Sequence, residues 1–200
     1  MEKPPRQWVE IPTTNWGLKD YMRDLQLTPE VLSGKTILDV GSGTRRFTKE
    51  LQEAGIDAQV VSLDPVFASP EEKQRFHERI RVEEPLEKLL QETNTPGVRE
   101  KTVAGIAEML PFEDETFDLI IAHYSLPLYG THQQVSQFFK EALRVLKVGG
   151  ELRYAPALAF SRDTNIEEII QKMVTEKRCR ILQNGIGNQP TILQKLPETS

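Results

Sequence analysis

Five short runs rich in aliphatic and β-branched residues recur along the chain, and most give way to apolar residues at helical spacing. The first, Thr36-Ile37-Leu38-Asp39-Val40, stops at Gly41 and hands over to Phe47, Leu51 and Ala54, a helix ended by Gly55. The second, Ala58 to Leu63, ends at Asp64-Pro65. A charged stretch from Ser69 to Glu100 follows, with helix-compatible composition and a break around Asn94-Thr95-Pro96-Gly97. Further strand-like runs are Thr102 to Ala104, Phe117 to Ala122 and Glu151 to Tyr154. Between the last two, Val135, Phe138, Phe139, Ala142 and Leu146 line one face of a helix that the pattern closes at Gly149-Gly150. Ile166, Ile169, Ile170, Met173 and Val174 make another helical stripe. Two runs, Arg178 to Gln183 and Thr191 to Lys195, then flank a turn holding Gly185 and Gly187 and read as a hairpin.

Strand alternating with helix predicts an α/β fold, a doubly wound and mostly parallel sheet with helices on both faces, to which the C-terminal hairpin adds an antiparallel edge. The opening segment has a different texture. Pro4, Pro5 and Pro12 punctuate it, Trp8, Trp16 and Tyr21 stand among polar residues, and a short helix is expected around Leu18 to Leu25. Residues 1–33 therefore read as an N-terminal arm or lid, and residues 34–200 as the principal domain.

At 200 residues the chain suits one such domain with a short extension. Apolar residues at 38% and charged residues at 28% fit a globular protein. The formal net charge of -5 supplies no overall positive field, and the scattered Lys and Arg argue against a nucleic-acid partner. The one cysteine, Cys179, excludes an internal disulfide and a cysteine-built metal cage, so no metal site is expected and a reducing, cytoplasmic setting is. Met1 to Glu10 lacks the apolar core of a signal peptide, and no run approaches the ~20 apolar residues of a membrane span, so no membrane partner is expected.

In a doubly wound sheet, ligands bind outside the carboxyl ends of the strands, which makes the strand ends the informative positions. Asp39-Val40-Gly41-Ser42-Gly43-Thr44-Arg45 is a glycine turn feeding a helix N-terminus, where the missing Cβ atoms let a ligand approach the backbone. A dinucleotide fingerprint would place a third glycine where Arg46 stands. Asp39 would repel a diphosphate and suits a ligand bearing an ammonium group instead. Asp64, at the end of the second strand, is an acceptor-only group able to take two ribose hydroxyls.

Four motifs in order make a more specific pattern. Ile37-Leu38-Asp39-Val40-Gly41-Ser42-Gly43-Thr44, Asp64, Ala107-Glu108-Met109-Leu110-Pro111-Phe112 with Thr116-Phe117-Asp118-Leu119-Ile120, and Glu141-Ala142-Leu143-Arg144-Val145-Leu146-Lys147-Val148-Gly149-Gly150 together resemble the class I S-adenosylmethionine-dependent methyltransferases. The resemblance covers roughly Lys35 to Tyr154 and is nearest to the small-molecule branch carrying an A-E-x-L-P-F element. It implies a Rossmann-like fold, S-adenosylmethionine as cofactor and S-adenosylhomocysteine as product. By the same resemblance Gly41, Ser42 and Gly43 lie against the methionine moiety, Asp39 holds its ammonium group and Asp64 the ribose. The backbone around Ile106 and Ala107 faces the adenine, and His123 approaches the cofactor from the other side. Two positions depart from the family: Arg45 stands where a third glycine is usual, and Ile106 where many members have an adenine-binding Asp. For Arg45 three alternatives are open, an ion pair to the methionine carboxylate, obstruction of the pocket, and a solvent-facing side chain.

Methyl transfer from a sulfonium is an in-line displacement that asks the protein for alignment and, for some acceptors, removal of a proton. His123 and Tyr124, with Tyr129 and His132 in the loop beyond, are the candidates for that task, while His77 reads as solvated. Cys179 is remote from the motifs and no Asn-Pro-Pro-Tyr string follows the fourth strand, so the resemblance favours a small-molecule acceptor. The alternative is a non-catalytic cofactor-sensing or partner protein on the same fold. A nicotinamide-dependent enzyme is the third option.

Overall fold

The structure, a computed structural model, describes residues 15–67, 86–157, 159 and 164–197. Trp8, His77 and the Ser69 to Pro85 part of the charged stretch lie outside the described residues. In chain order the elements are α1 (Leu18–Asp24), α2 (Pro29–Leu32), β1 (Thr36–Val40), α3 (Arg46–Glu53), β2 (Gln59–Leu63), a 3-10 turn (Pro65–Phe67), α4 (Leu86–Glu92), α5 (Pro96–Arg99) and β3 (Thr102–Val103). They continue as β4 (Phe117–His123), α6 (Leu126–Tyr129), α7 (His132–Val145), β5 (Leu146–Ala155), α8 (Ile166–Thr175), β6 (Cys179–Gln183) and β7 (Thr191–Lys195).

The strands form one seven-stranded sheet in the order β3-β2-β1-β4-β5-β7-β6. β1 lies between β2 and β4, both parallel to it, so the chain reverses its direction of travel across the sheet there. The ends of β1, β2 and β4 border the crevice where such sheets bind ligands. The C-terminal hairpin is present, with its antiparallel strand β7 inserted against β5 and β6 forming the sheet edge.

The two faces carry separate cores, because successive strand residues point to opposite sides. One buries Leu38, Ile120 and Ala122 of the strands beneath Val135, Phe138, Phe139 and Ala142 of α7 and the apolar stripe of α8. The other buries Ile37, Leu119 and Ile121 beneath Phe47 and Leu51 of α3 and Tyr21, Leu25 and Leu32 of the N-terminal segment. Residues 15–33 thus fill half of the second core. Arg153 of β5, held by Glu151, reaches the backbone carbonyls of Leu25 (3.2 Å) and Gln26 (2.6 Å) and fixes the end of α1 to the sheet.

Glycine placement corrects the sequence reading at one turn. α7 ends at Val145 and passes directly into β5, and Gly149 and Gly150 lie inside that strand. Gly149 has φ +80, and the register jumps from Phe117↔Leu146 to Leu119↔Glu151, so the glycines form an irregularity of the strand. Gly150 packs so close to the Asp118 carbonyl that a Cβ would sit 3.0 Å away. Asp118 in turn accepts hydrogen bonds from the Thr36 amide and from Lys147, stapling the starts of β1, β4 and β5. Among the described residues no helix is long and apolar enough to cross a membrane.

If α1 is core, truncating its buried leucine should cost what core truncations cost. Leu25→Ala is expected to lower unfolding free energy by about 2–5 kcal/mol in urea titration. A detachable lid would leave the midpoint unchanged.

Candidate active site

The glycine turn after β1 is tied to the end of β2. Gly41 and Ser42 donate their amides to the Leu63 carbonyl at 2.8 and 3.2 Å, and the Gly43 amide donates to Asp64 Oδ2 at 2.9 Å. Gly41 and Gly43 have φ of +75 and +54, and a Cβ on Gly41 would fall 2.5 Å from Ser125 Cβ, so both the backbone and the space demand glycine at Gly41. The turn thereby brings Ser42, Asp64 and Ser125 of the loop after β4 to one place.

Two carboxylates are buried there, and no cation pairs with them among the described residues. Asp39 is wholly buried, and its hydrogen-bond donor is the Tyr21 hydroxyl of α1, 3.2 and 3.4 Å from its two oxygens. Burial pushes its pKa up to about 8, against the Tyr21 hydrogen bond and with a contribution from Asp64. Asp64 receives the amides of Gly43 and Val66, one on each oxygen at 2.9 Å, and burial still raises it to about 6. Each Asp64 oxygen keeps a further acceptor position.

His123 closes β4 and is fully buried, its Nε2 3.0 Å from Asp24 Oδ2 on α1. Tyr21, Tyr124 and Trp16 surround the ring at centroid distances of 4.5, 4.8 and 5.7 Å. Tyr124 holds a left-handed φ of +48, a conformation that non-glycine residues adopt at a cost and often at functional sites. Tyr129 ends α6, and burial followed by the proximity of Tyr124 pushes its hydroxyl up to about 12. His132 is exposed at the first position of α7 and makes no hydrogen bond among the described residues, so it is not drawn into this group. Asp24 and Tyr21, which complete the site from α1, escape a reading that looks only at strand ends. Their spacing of three residues, on a helix that faces the sheet, is the signal that would have found them.

Four buried side-chain atoms of this neighbourhood have no hydrogen-bond partner among the described residues: Trp16 Nε1, Ser42 Oγ, His123 Nδ1 and Ser125 Oγ. Buried polar groups are nearly always paired, so such a concentration is characteristic of a surface that receives a ligand. At the rim, Ile106 pairs with Met109 in a tight turn, with both side chains exposed and Ala107 buried beneath. Residues of the last motif hold that turn. Glu141 accepts the Leu110 amide at 3.0 Å, and Arg144 donates to the carbonyls of Leu110 and Phe112 at 2.9 and 2.8 Å.

Arg45 does not follow the solvent-facing alternative. It is buried and left-handed at φ +65, which explains why a glycine suits this position. Its guanidinium donates to Thr102 Oγ1 (3.1 Å), the Leu90 carbonyl (3.1 Å) and Thr93 Oγ1 (3.5 Å), and lies 4.8 Å from the Phe67 ring centre. The side chain is a strut between the glycine turn, α4 and β3.

A family model described as a methyltransferase domain matches residues 38–154. Over 123 residues the chain is 33% identical to a phthiotriol/phenolphthiotriol dimycocerosates methyltransferase 1 of Mycobacterium ulcerans, covering 62% of this chain and 38% of that protein. It is 32% identical over 124 residues to the corresponding methyltransferase of Mycobacterium leprae, with the same coverage. The chain thus spans well under half the length of these curated relatives. Among solved structures, a SAM-dependent methyltransferase of Methanosarcina mazei aligns with a TM-score of 0.53 at 21% identity, covering 86% of this chain and 99% of that one. An rRNA methylase of Streptococcus thermophilus aligns with a TM-score of 0.51 at 17% identity, covering 89% and 97%. At such identities the structures establish a shared fold.

Two outcomes follow from the buried charges. Asp39 has a folded pKa of about 8, raised above its ordinary value of 3.8, so its contribution to stability is fully present below the unfolded value and is lost as pH rises through the folded one. The melting temperature of the ligand-free protein should therefore fall between about pH 4 and 8 through this group, and Asp39→Asn should flatten the fall in calorimetry. Arg45→Gly removes backbone strain but also three hydrogen bonds to buried acceptors, and is expected to destabilise by about 1–3 kcal/mol in denaturant titration. A more stable Arg45→Gly protein would refute the strut.

Proposed function

Because the chain belongs to the methyltransferase-domain family, we propose that it binds S-adenosylmethionine at the carboxyl ends of β1, β2 and β4 and transfers the methyl group to a small-molecule acceptor. The observation that carries the reading is the pair of buried carboxylates, Asp39 and Asp64, without an ion-pair partner among the described residues and set on either side of a turn that demands glycine at Gly41. The donor set fits the cofactor. A buried carboxylate whose pKa is raised for want of a cation suits the ammonium of the methionine moiety, and the second suits the ribose hydroxyls through its free acceptor positions. The unpartnered Ser42 and Ser125 hydroxyls supply further polar contacts beside the turn.

In this reading Gly41, Ser42 and Gly43 lie against the methionine end. The Ile106, Ala107 and Met109 turn offers an apolar edge to the adenine, in keeping with Ile106 standing where many family members have an acidic residue. Bound S-adenosylmethionine would supply an activated methyl group. The protein's part is to orient the acceptor in line with it and to keep water out, which the buried ring cluster of Tyr21, His123 and Trp16 serves. The small-molecule acceptor finds support in the relatives' named acceptors, which are not macromolecular.

Titration calorimetry with S-adenosylmethionine and S-adenosylhomocysteine tests the reading. The Tyr21 hydroxyl and the proton on Asp39 must yield to an ammonium, so binding is expected to release a proton near neutral pH and to tighten as pH rises toward about 8. The heat should then depend on the buffer's ionisation enthalpy. Gly41→Val should abolish binding, and wild-type affinity in that variant would remove the turn from the site. A protein that binds cofactor and never turns it over against a metabolite pool would be the sensing alternative.

A further inference from the structure

The Asp24–His123 pair is not explained by cofactor binding. His123 is wholly buried at the end of β4, and burial lowers its pKa below the ordinary imidazole value although Asp24 opposes this. Asp24 is itself held below the usual carboxylate range, since burial pushes it up but hydrogen bonds from Arg23 and His123 outweigh that. The pair is therefore a neutral imidazole against an ionised carboxylate. A carboxylate only accepts, so Nε2 must carry the ring proton at 3.0 Å, and Nδ1 is left as a bare lone pair. That nitrogen is buried and meets no donor among the described residues.

We propose that His123 Nδ1 is the general base of the reaction and Asp24 its positioning residue, so that the acceptor is a hydroxyl or amine compound with a proton to lose. The inference rests on the methyl-transfer reading above and specifies its acceptor. The O–H or N–H bond breaks toward Nδ1 while the heteroatom's electron pair joins the methyl carbon. The carbon–sulfur electron pair stays with sulfur, giving the neutral thioether product, and the positive charge passes from sulfonium to imidazolium, where Asp24 faces it. An acceptor without such a proton, a thioether or tertiary amine, would have no use for the arrangement.

The surroundings of the ring agree with this role. The charges that face it are Asp24, Asp20 and Arg23, all on α1, and the rings packed on it are Trp16, Tyr21 and Tyr124. Of these rings Trp16 and Tyr124 keep exposed surface, so the acceptor's approach is on their side. Asp24 also lines an open cavity of about 460 Å³ between the end of α1 and the hairpin turn, bordered by Gln26, Asn188 and Gln189. The dyad thus has a wet side through which the collected proton leaves.

The test combines the proton's location with turnover on the full chain. In 15N-histidine NMR of the ligand-free protein, His123 is expected to show a protonated Nε2 and a bare Nδ1. Asp24→Asn, whose amide donates to Nε2, should move the proton to Nδ1. S-adenosylhomocysteine release from S-adenosylmethionine in an aqueous metabolite extract should then fall about 100-fold or more in that variant, with the KM for S-adenosylmethionine unchanged. The wild-type rate should rise with pH through an ionisation below the ordinary imidazole value, and His123→Gln should lose that limb. A protonated Nδ1 in the wild type, or an Asp24→Asn protein with wild-type turnover, overturns the proposal. So does a wild type that binds S-adenosylmethionine by calorimetry yet releases no product. Failure to bind S-adenosylmethionine at all is a different result, which removes the reading on which the proposal rests.

Discussion

The structure depends on one electrostatic circumstance: two carboxylates are buried at the ends of adjacent central strands, and among the described residues none offers them an ion pair. Ionised groups in such a place are strongly disfavoured, and the rest of the site is arranged around that fact. The amides of Gly43 and Val66 converge on Asp64, which forces the glycine turn to fold back over the end of β2. Asp39 takes the hydroxyl of Tyr21, which draws α1 down onto the second face of the sheet, with Tyr21 stacked on Phe47 at 4.3 Å. The core on that face and the polar site above it are thus one construction. Leu25 and Leu32 provide the apolar burial that keeps Tyr21 in place, and Tyr21 partly satisfies the carboxylate that a ligand would satisfy better.

Strand positions and helix layers were legible because hydrophobic period is a backbone-level signal. The runs at Thr36, Ala58, Phe117, Arg178 and Thr191 became strands within a residue or two of the expected bounds. Gly149-Gly150 misled because glycine after a helical stripe has two uses, ending a helix and breaking a strand's register. The two differ only in what the neighbouring strand presents, here the Asp118 carbonyl. The N-terminal segment misled for a related reason. Its aromatic residues among polar ones look like a surface cover, and only the sheet face opposite shows that Tyr21 and Leu25 belong to a core.

The strand-end rule placed Asp39, Asp64, the glycines and His123 at one edge of the sheet, where the structure has them, because those positions follow from chain connectivity. It was silent on Asp24, Ser125 and the destination of Arg45, which are fixed by packing between segments far apart in sequence. Arg45 is instructive. Its residue type suggested a charge partner, but its left-handed backbone aims the side chain away toward β3 and α4, where neutral oxygens and an aromatic face receive it. A guanidinium used in this way braces loops.

The clasp of Arg153 on the carbonyls of Leu25 and Gln26 reaches beyond geometry. A guanidinium buried in β5 and bonded to the last turn of α1 links the central sheet to a segment more than a hundred residues earlier, so neither end can loosen without stranding polar groups of the other. The amino-terminal helix and the parallel core then form a single cooperative folding unit, protected together against hydrogen exchange. On a ribosome, α1 emerges long before β5 exists to receive it. The helix that covers Asp39 is therefore made well before the strand that holds it in place.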